Sequence, residues 1–251
     1  MTIELRQLLL KAWLETRGRF LAAAAVLSLL GVSTVVRAEG TIAGWEHFHG
    51  GEEMPYALYV WLSLSHGYLQ FIWIICAIIL GLGGLLREHS LGTAGFTLAL
   101  PVSRRAIVLT RAAVGAAEAV LLALIPELIV ALLSSLAGQI YPVAEALLFA
   151  SLIAGGGLVF YALGFLLSHL LAGEYAAPSA GLAIAAAWYL LTKLPELDPL
   201  NVYKLMTGAE YMVGKTYLLG GDYPVLSVTL WLGAGAALIG TSASVASRRA
   251  F

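Results

Sequence analysis

Hydrophobic positions along the chain fall into long blocks separated by short polar stretches. The first twenty residues, MTIELRQLLLKAWLETRGRF, place Glu4, Gln7, Lys11 and Glu15 three or four apart, with Leu9, Leu10, Trp13 and Leu14 opposite. That spacing marks an amphipathic helix. Its tryptophan and basic residues suit the headgroup level, so residues 1–19 are expected to lie in a membrane surface before the chain turns inward at Phe20. Apolar blocks follow at about 20–36, 60–86, 106–136, 146–171, 176–194 and 224–245. Each approaches or exceeds the roughly 20 residues that a helix needs to cross a hydrocarbon core of about 30 Å. The third block is long enough for its Arg111 end to project into the headgroups.

Composition supports the same architecture. Hydrophobic residues make up 60% of the 251 and charged residues only 12%, with a mean hydropathy of +0.88, against about 25% charged in soluble domains. Backbone exposed to lipid must satisfy its own hydrogen bonds, which excludes open sheets. The expected fold class is therefore all-α: an integral membrane six-helix bundle with an N-terminal amphipathic interfacial helix, forming one transmembrane domain over residues 1–251. A basic start, an apolar run and the small Ala38 also resemble a cleaved signal peptide. The run exceeds the usual signal core, however, and the leading segment is itself amphipathic.

The formal charge of −1 excludes a generally basic nucleic-acid binder, so what matters is where the charges sit. Arg6, Lys11, Arg17, Arg19, Arg87, Arg104, Arg105, Arg111, Arg248 and Arg249 fall on one side of the expected spans, against Arg37, Lys193, Lys204 and Lys215 on the other. The positive-inside rule then puts both termini in the cytoplasm. The connection 194–223 falls outside, and its tyrosines and methionines suggest short interfacial helices.

Few residues offer chemistry. Val213-Gly214-Lys215-Thr216 resembles the end of a phosphate-binding loop, but five residues separate Gly208 from Gly214 where the pattern has four, and no strand precedes it. Ser179 has no histidine after it, which argues against a serine protease of the intramembrane kind. His47 and His49 sit beside Glu46, Glu52 and Glu53 in an outer loop, where a solvated acidic stretch is the simpler reading of a potential metal set. The lone Cys76 permits no internal disulfide. Glu118 and Glu127 are ionisable groups inside the third block, with Pro126 beside the second, and such groups mark translocation paths or structural pairs. Nine residues apart, they point to different faces and do not form an acid–base pair, whereas Arg111 and Glu118 share a face.

The loop Arg87-Glu88-His89-Ser90-Leu91-Gly92-Thr93-Ala94-Gly95-Phe96-Thr97-Leu98-Ala99-Leu100-Pro101-Val102-Ser103-Arg104 carries apolar residues on a water-facing stretch, which calls for a partner or a membrane surface to cover them. It resembles the signature of type-2 ABC exporter permeases, in which a glutamate, a Gly-Thr pair and a Leu-Pro-Val-Ser-Arg run follow the second span. The resemblance extends to the layout of the whole chain. It implies a permease subunit without catalytic residues, metal or cofactor of its own, with ATP and Mg on a partner. Glu88, Gly92, Thr93, Phe96, Leu100, Pro101 and Arg104 then correspond to the coupling helix, Glu174 to a second contact, and Glu118 and Glu127 to a possible path. The implied partners are two copies of an ATP-binding cassette subunit, a second permease copy or a related permease, and membrane lipid, in a prokaryotic plasma membrane. A membrane assembly or scaffold protein without transport activity, and a secondary carrier, are the competing readings.

Overall fold

The computed structural model of the chain describes residues 3–83, 102–171, 175–212 and 217–248, and among these it is all-helical apart from one isolated bridge, Met212 to Leu219. Helix α1 runs unbroken over Ile3–Phe48. The expected turn at Phe20 is not made, and the polar segment from Arg37 to His47 is helical too. No proline occurs before Pro55, and nothing else in the stretch competes strongly with the helix. The helix stops where Gly50 and Gly51 take positive φ, with the Gly51 amide donating to the Glu46 carbonyl at 2.8 Å, a Schellman-type ending.

Helix α2 spans Tyr56–Leu80 and is not uniform. Its middle, Trp61–Leu69, is a π-helix, and Gly67 has non-helical dihedrals (φ −81°, ψ −109°). Helix α3, Arg104–Leu133, begins with the Ser103 hydroxyl accepting from the Ala106 amide at 3.1 Å and contains Pro126. A 3₁₀ turn, Ser134–Ala137, leads out of it. Helix α4 spans Val143–Leu170 and α5 Ala176–Leu191. The connection that follows folds into a 3₁₀ turn at Pro195–Leu200 and a short α6, Val202–Thr207, capped by Asn201. Helix α7, Val225–Arg248, is the last.

Five of these, α1, α2, α3, α4 and α7, are long and apolar enough to cross a membrane, while the 16-residue α5 is apolar but shorter. The architecture is that of a helical membrane protein. Packing fixes the helix directions. Arg19 of α1 meets Ile79 of α2, while Thr34 meets Tyr59, so α1 and α2 are antiparallel. Thr16 of α1 meets Glu118 of α3, and Gly31 lies against Pro126, so α1 and α3 run parallel. Gly155 of α4 faces Val228 of α7 and Val159 faces Gly235, so these two also run parallel.

The core is centred on α4. Trp73, Ile78, Leu122, Ile153 and Phe165 are all essentially inaccessible. The run Gly155-Gly156-Gly157 admits Val228, Met206 and Trp73 against the α4 backbone, the small-residue device that lets membrane helices approach closely. The buried Val202, Leu205 and Met206 of α6 belong to the same contact, so this part of the 194–223 connection is ordered.

Candidate functional site

Two polar clusters interrupt the apolar interior. The first lies at the bundle end where α2 ends and α3 begins, on either side of residues 84–101. The last carbonyls of a helix have no partner within it, and α1 supplies one: Arg19 donates to the Ile79 carbonyl at 2.9 Å and also to that of Leu82. One turn earlier, Glu15 pairs with Arg111 of α3 at 3.1 Å and with Lys11 at 3.5 Å. The Thr16 hydroxyl donates to the carboxyl of Glu118 at 2.5 Å. Arg111 and Glu118 therefore both face α1. Helix α4 closes the cluster, with the Tyr161 hydroxyl donating to the Ala112 carbonyl at 3.1 Å and that of Ser168 to the Gly83 carbonyl at 2.6 Å. Two helices, α1 and α4, thus hold the roots from which the 84–101 segment departs and to which it returns.

The second cluster is built on Glu127, whose side chain is fully buried. The Ser65 hydroxyl, from the π-helical stretch of α2, donates to its Oε1 at 3.0 Å, and its Oε2 meets no donor among the described residues. Toward the bundle end away from the first cluster, the Tyr56 hydroxyl lies 2.8 Å from Ser134 Oγ, and the buried Tyr141 hydroxyl has no hydrogen-bond partner among the described residues. Burial pushes the Tyr141 phenol well above its ordinary pKa. Glu118 and Glu127 accordingly serve different interfaces, α1 and α2 respectively.

Arg104 opens α3 directly after its Ser103 cap. Glu88, Gly92, Thr93, Phe96, Leu100, Pro101 and Glu174 lie outside the described residues, as does the Gly214-Lys215-Thr216 stretch. His49 is stacked on Trp45 of α1, ring centroids 3.8 Å apart, and no cluster of His, Cys, Asp or Glu suited to a metal occurs among the described residues.

At the opposite bundle end, Lys204 of α6 binds Asp198 at 2.6 Å and Glu210 at 3.3 Å. The lysine holds the Asp198 carboxyl below its ordinary pKa, and Asp198 in turn raises that of Lys204. This clasp borders a cleft of about 530 Å³ lined also by His66, Gln70 and Lys193. Beside it, sharing Phe71, Tyr189 and Tyr203, an apolar groove of about 460 Å³ separates α2 from α5.

Sequence reasoning missed Thr16, Arg19, Ser65, Tyr161 and Ser168. A lone Ser or Thr in an apolar helix ordinarily satisfies itself on its own backbone, so nothing in the linear pattern marks these. The glycine run in α4 was an available signal of close helix approach. No family model, no curated protein and no solved structure matches the chain.

Proposed function

We propose that the chain is the membrane-spanning permease subunit of an ATP-driven ABC exporter. Separate ATP-binding subunits, holding ATP and Mg, hydrolyse the nucleotide, and this chain, paired with a second permease copy or a relative, alternates between inward- and outward-facing arrangements. The observation that carries the reading is the loop Arg87–Arg104, with its Gly-Thr and Leu-Pro-Val-Ser-Arg elements. What supports it is the cluster beneath: Arg19, Glu15, Arg111 and Ser168 tie both loop roots to α1 and α4. A push on a loop so rooted is transmitted to packed helices and not lost in a slack linker. Rigid-body rearrangement of such a bundle is an established route for switching.

Six crossings with both termini in the cytoplasm belong to this reading. Parallel α4 and α7 support it, because the chain between Leu170 and Val225 must return to the starting end. Helix α5 runs antiparallel to α2, with Gly181 near Ile78 and Tyr189 near Phe71, and makes that return. The cytoplasmic end carries the basic residues of α1, α3 and α7.

The test is isolation of the tagged chain from its native membranes, with identification of co-purifying ATPases and measurement of transport-linked ATP hydrolysis. A bound ATP-binding subunit is expected, with coupling weakened in Phe96→Ala and Glu88→Ala at normal expression. An absent ATPase, or wild-type association and turnover in both variants, refutes the assignment. One observation favours a second reading: a helix interrupted beside a buried carboxyl is a feature of ion-coupled carriers, and α2 has one beside Glu127.

A further inference from the structure

Glu127 differs from Glu118 in its company. Glu118 has the cation of Arg19 in electrostatic reach, whereas Glu127 has one hydroxyl donor, one unsatisfied oxygen and no ion pair among the described residues. An ionised carboxylate taken out of water without a counter-charge is strongly disfavoured. The neutral acid is the form this enclosure fits, since it carries no charge and adds a donor.

What faces the acid is a structural irregularity. Ser65 lies inside the π-helical stretch Trp61–Leu69, whose Gly67 leaves helical dihedrals altogether. A side chain at Gly67 would collide with the helix itself, because an added Cβ would stand 2.6 Å from the Leu62 carbonyl. Such stretches occur as local insertions into α-helices, frequently at functional sites. Closing an i→i+5 turn to i→i+4 shifts the register by one residue, or about 100° of rotation at 3.6 residues per turn. The Ser65 hydroxyl reaches Glu127 in one register and is carried away in the other. Opposite, Pro126 has no amide to give the Leu122 carbonyl, which weakens the α3 ladder beside the same carboxyl.

We propose that Glu127 and the π-helical stretch of α2 form an intramembrane protonation switch whose ligand is the proton. With α2 in this register the closed surroundings of Glu127, and not the Ser65 donor, hold the carboxyl as the acid. When α2 changes register, the proton passes from the carboxyl to water entering from the Tyr141 side, leaving a carboxylate, and the reverse shift takes a proton back. The switch does not depend on which energy source drives the bundle.

The titratable surroundings are few. Tyr56 of α2 is engaged with Ser134, and Tyr59 donates to the Thr34 carbonyl of α1 at 2.6 Å, with Arg37 acting on Tyr59. Tyr141 feels Glu127 and also Glu145 of α4, which accepts from the Leu219 amide at 3.0 Å. His66 sits in the π-helical stretch but is exposed and packs on Trp61, ring centroids 4.6 Å apart. An exposed imidazole in the same stretch requires its own control.

The experiment uses the full chain in lipid nanodiscs. Two quantities are followed against pH: the infrared carbonyl band of a protonated carboxylic acid, and amide-exchange protection of residues 61–69 corrected for the intrinsic rate. In wild type the band is expected at neutral pH and to fade as pH rises, with protection falling in the same one-proton transition. Glu127→Gln is expected to lack that band and to keep protection flat, and His66→Gln to behave as wild type. Ser65→Ala keeps the acid but removes the donor that favours its ionised form, so its transition is expected at higher pH, which keeps the test available if Glu127→Gln fails to insert. The proposal is overturned if the band survives in Glu127→Gln, if protection there follows wild type, if His66→Gln abolishes the transition, if Ser65→Ala leaves the midpoint in place, or if sodium or potassium at fixed pH displaces it. Association with an ATP-binding subunit, assayed separately in Glu127→Gln, distinguishes failure of the exporter reading from failure of this one.

Discussion

Replacing Gly164 by alanine tests the packing that places the loop-bearing end of α2 on α4. A Cβ built at Gly164 stands 2.6 Å from the Ile78 carbonyl oxygen and 3.0 Å from its Cα, where ordinary contact begins at 3.4 Å. Both obstacles are backbone atoms, so no rotamer change relieves them. The two helices must separate by most of an ångström along a seam that also holds Trp73 and Ile78, each 0% exposed. Overpacking of this kind costs about 1–3 kcal/mol, roughly a 5- to 150-fold change in the unfolding equilibrium. Gly233→Ala in α7 is the control, since nothing lies within 4 Å of its added Cβ. Reversible unfolding in mixed micelles, followed by circular dichroism, is expected to show a clear loss for Gly164→Ala and little change for Gly233→Ala. Equal stability of the two variants would refute the contact between α2 and α4.

Arg19→Met keeps the apolar stem but removes a charged donor from the carbonyls of Leu82 and of Ile79, the latter accepting also from the Leu82 amide; with charged hydrogen bonds worth about 1.5–3 kcal/mol it is expected to raise amide exchange near Ile79–Leu82, and unchanged exchange there argues against the cap. The Lys204 clasp has a pH window with two edges. Asp198 has a lowered folded pKa, so its contribution is present above its unfolded value and lost as pH falls through the folded one; Lys204, with a raised folded pKa, contributes below its unfolded value and loses this as pH rises through the folded one. Acylation of Lys204 is expected to become faster when Asp198→Asn removes the partner, and an unchanged rate sinks the clasp. Cysteine labelling at Arg249 is expected from the cytoplasmic side alone, and labelling from outside would remove the six-span topology.

The helical class and most spans were legible because lipid forces long uninterrupted apolar runs, and α3 and α4 begin close to where the pattern puts them. Helix ends were less legible. Arg37, Glu39 and Glu46 read as a loop by polarity, yet polarity does not break a helix that has no proline and can extend beyond the membrane. The short α5 was counted from hydropathy alone, and only its contacts with Ile78 and Phe71 reveal its direction. Of the site, the carboxyls of Glu118 and Glu127 were visible as costly residues in apolar runs, and their separate faces followed from helical spacing. Their donors, Thr16 and Ser65, lie 102 and 62 residues away. No local pattern carries a pairing over that distance. The π-helical register of Trp61–Leu69 was hidden for the same reason, since it depends on what packs against it.

The length of α1 has a mechanical consequence. Its 46 residues make a rod of about 69 Å, more than twice the depth of a hydrocarbon core of about 30 Å. A rod held near its midpoint by the seam with α3 and tilted by about 10° sweeps each tip through roughly 6 Å, in opposite directions on the two sides of the bilayer. Arg19 and Glu15 ride on one arm and Glu39 and Glu46 on the other. Displacement delivered to the loop roots at one surface would thus arrive at the other as an equal and opposite stroke, through a single piece of secondary structure with no joint between.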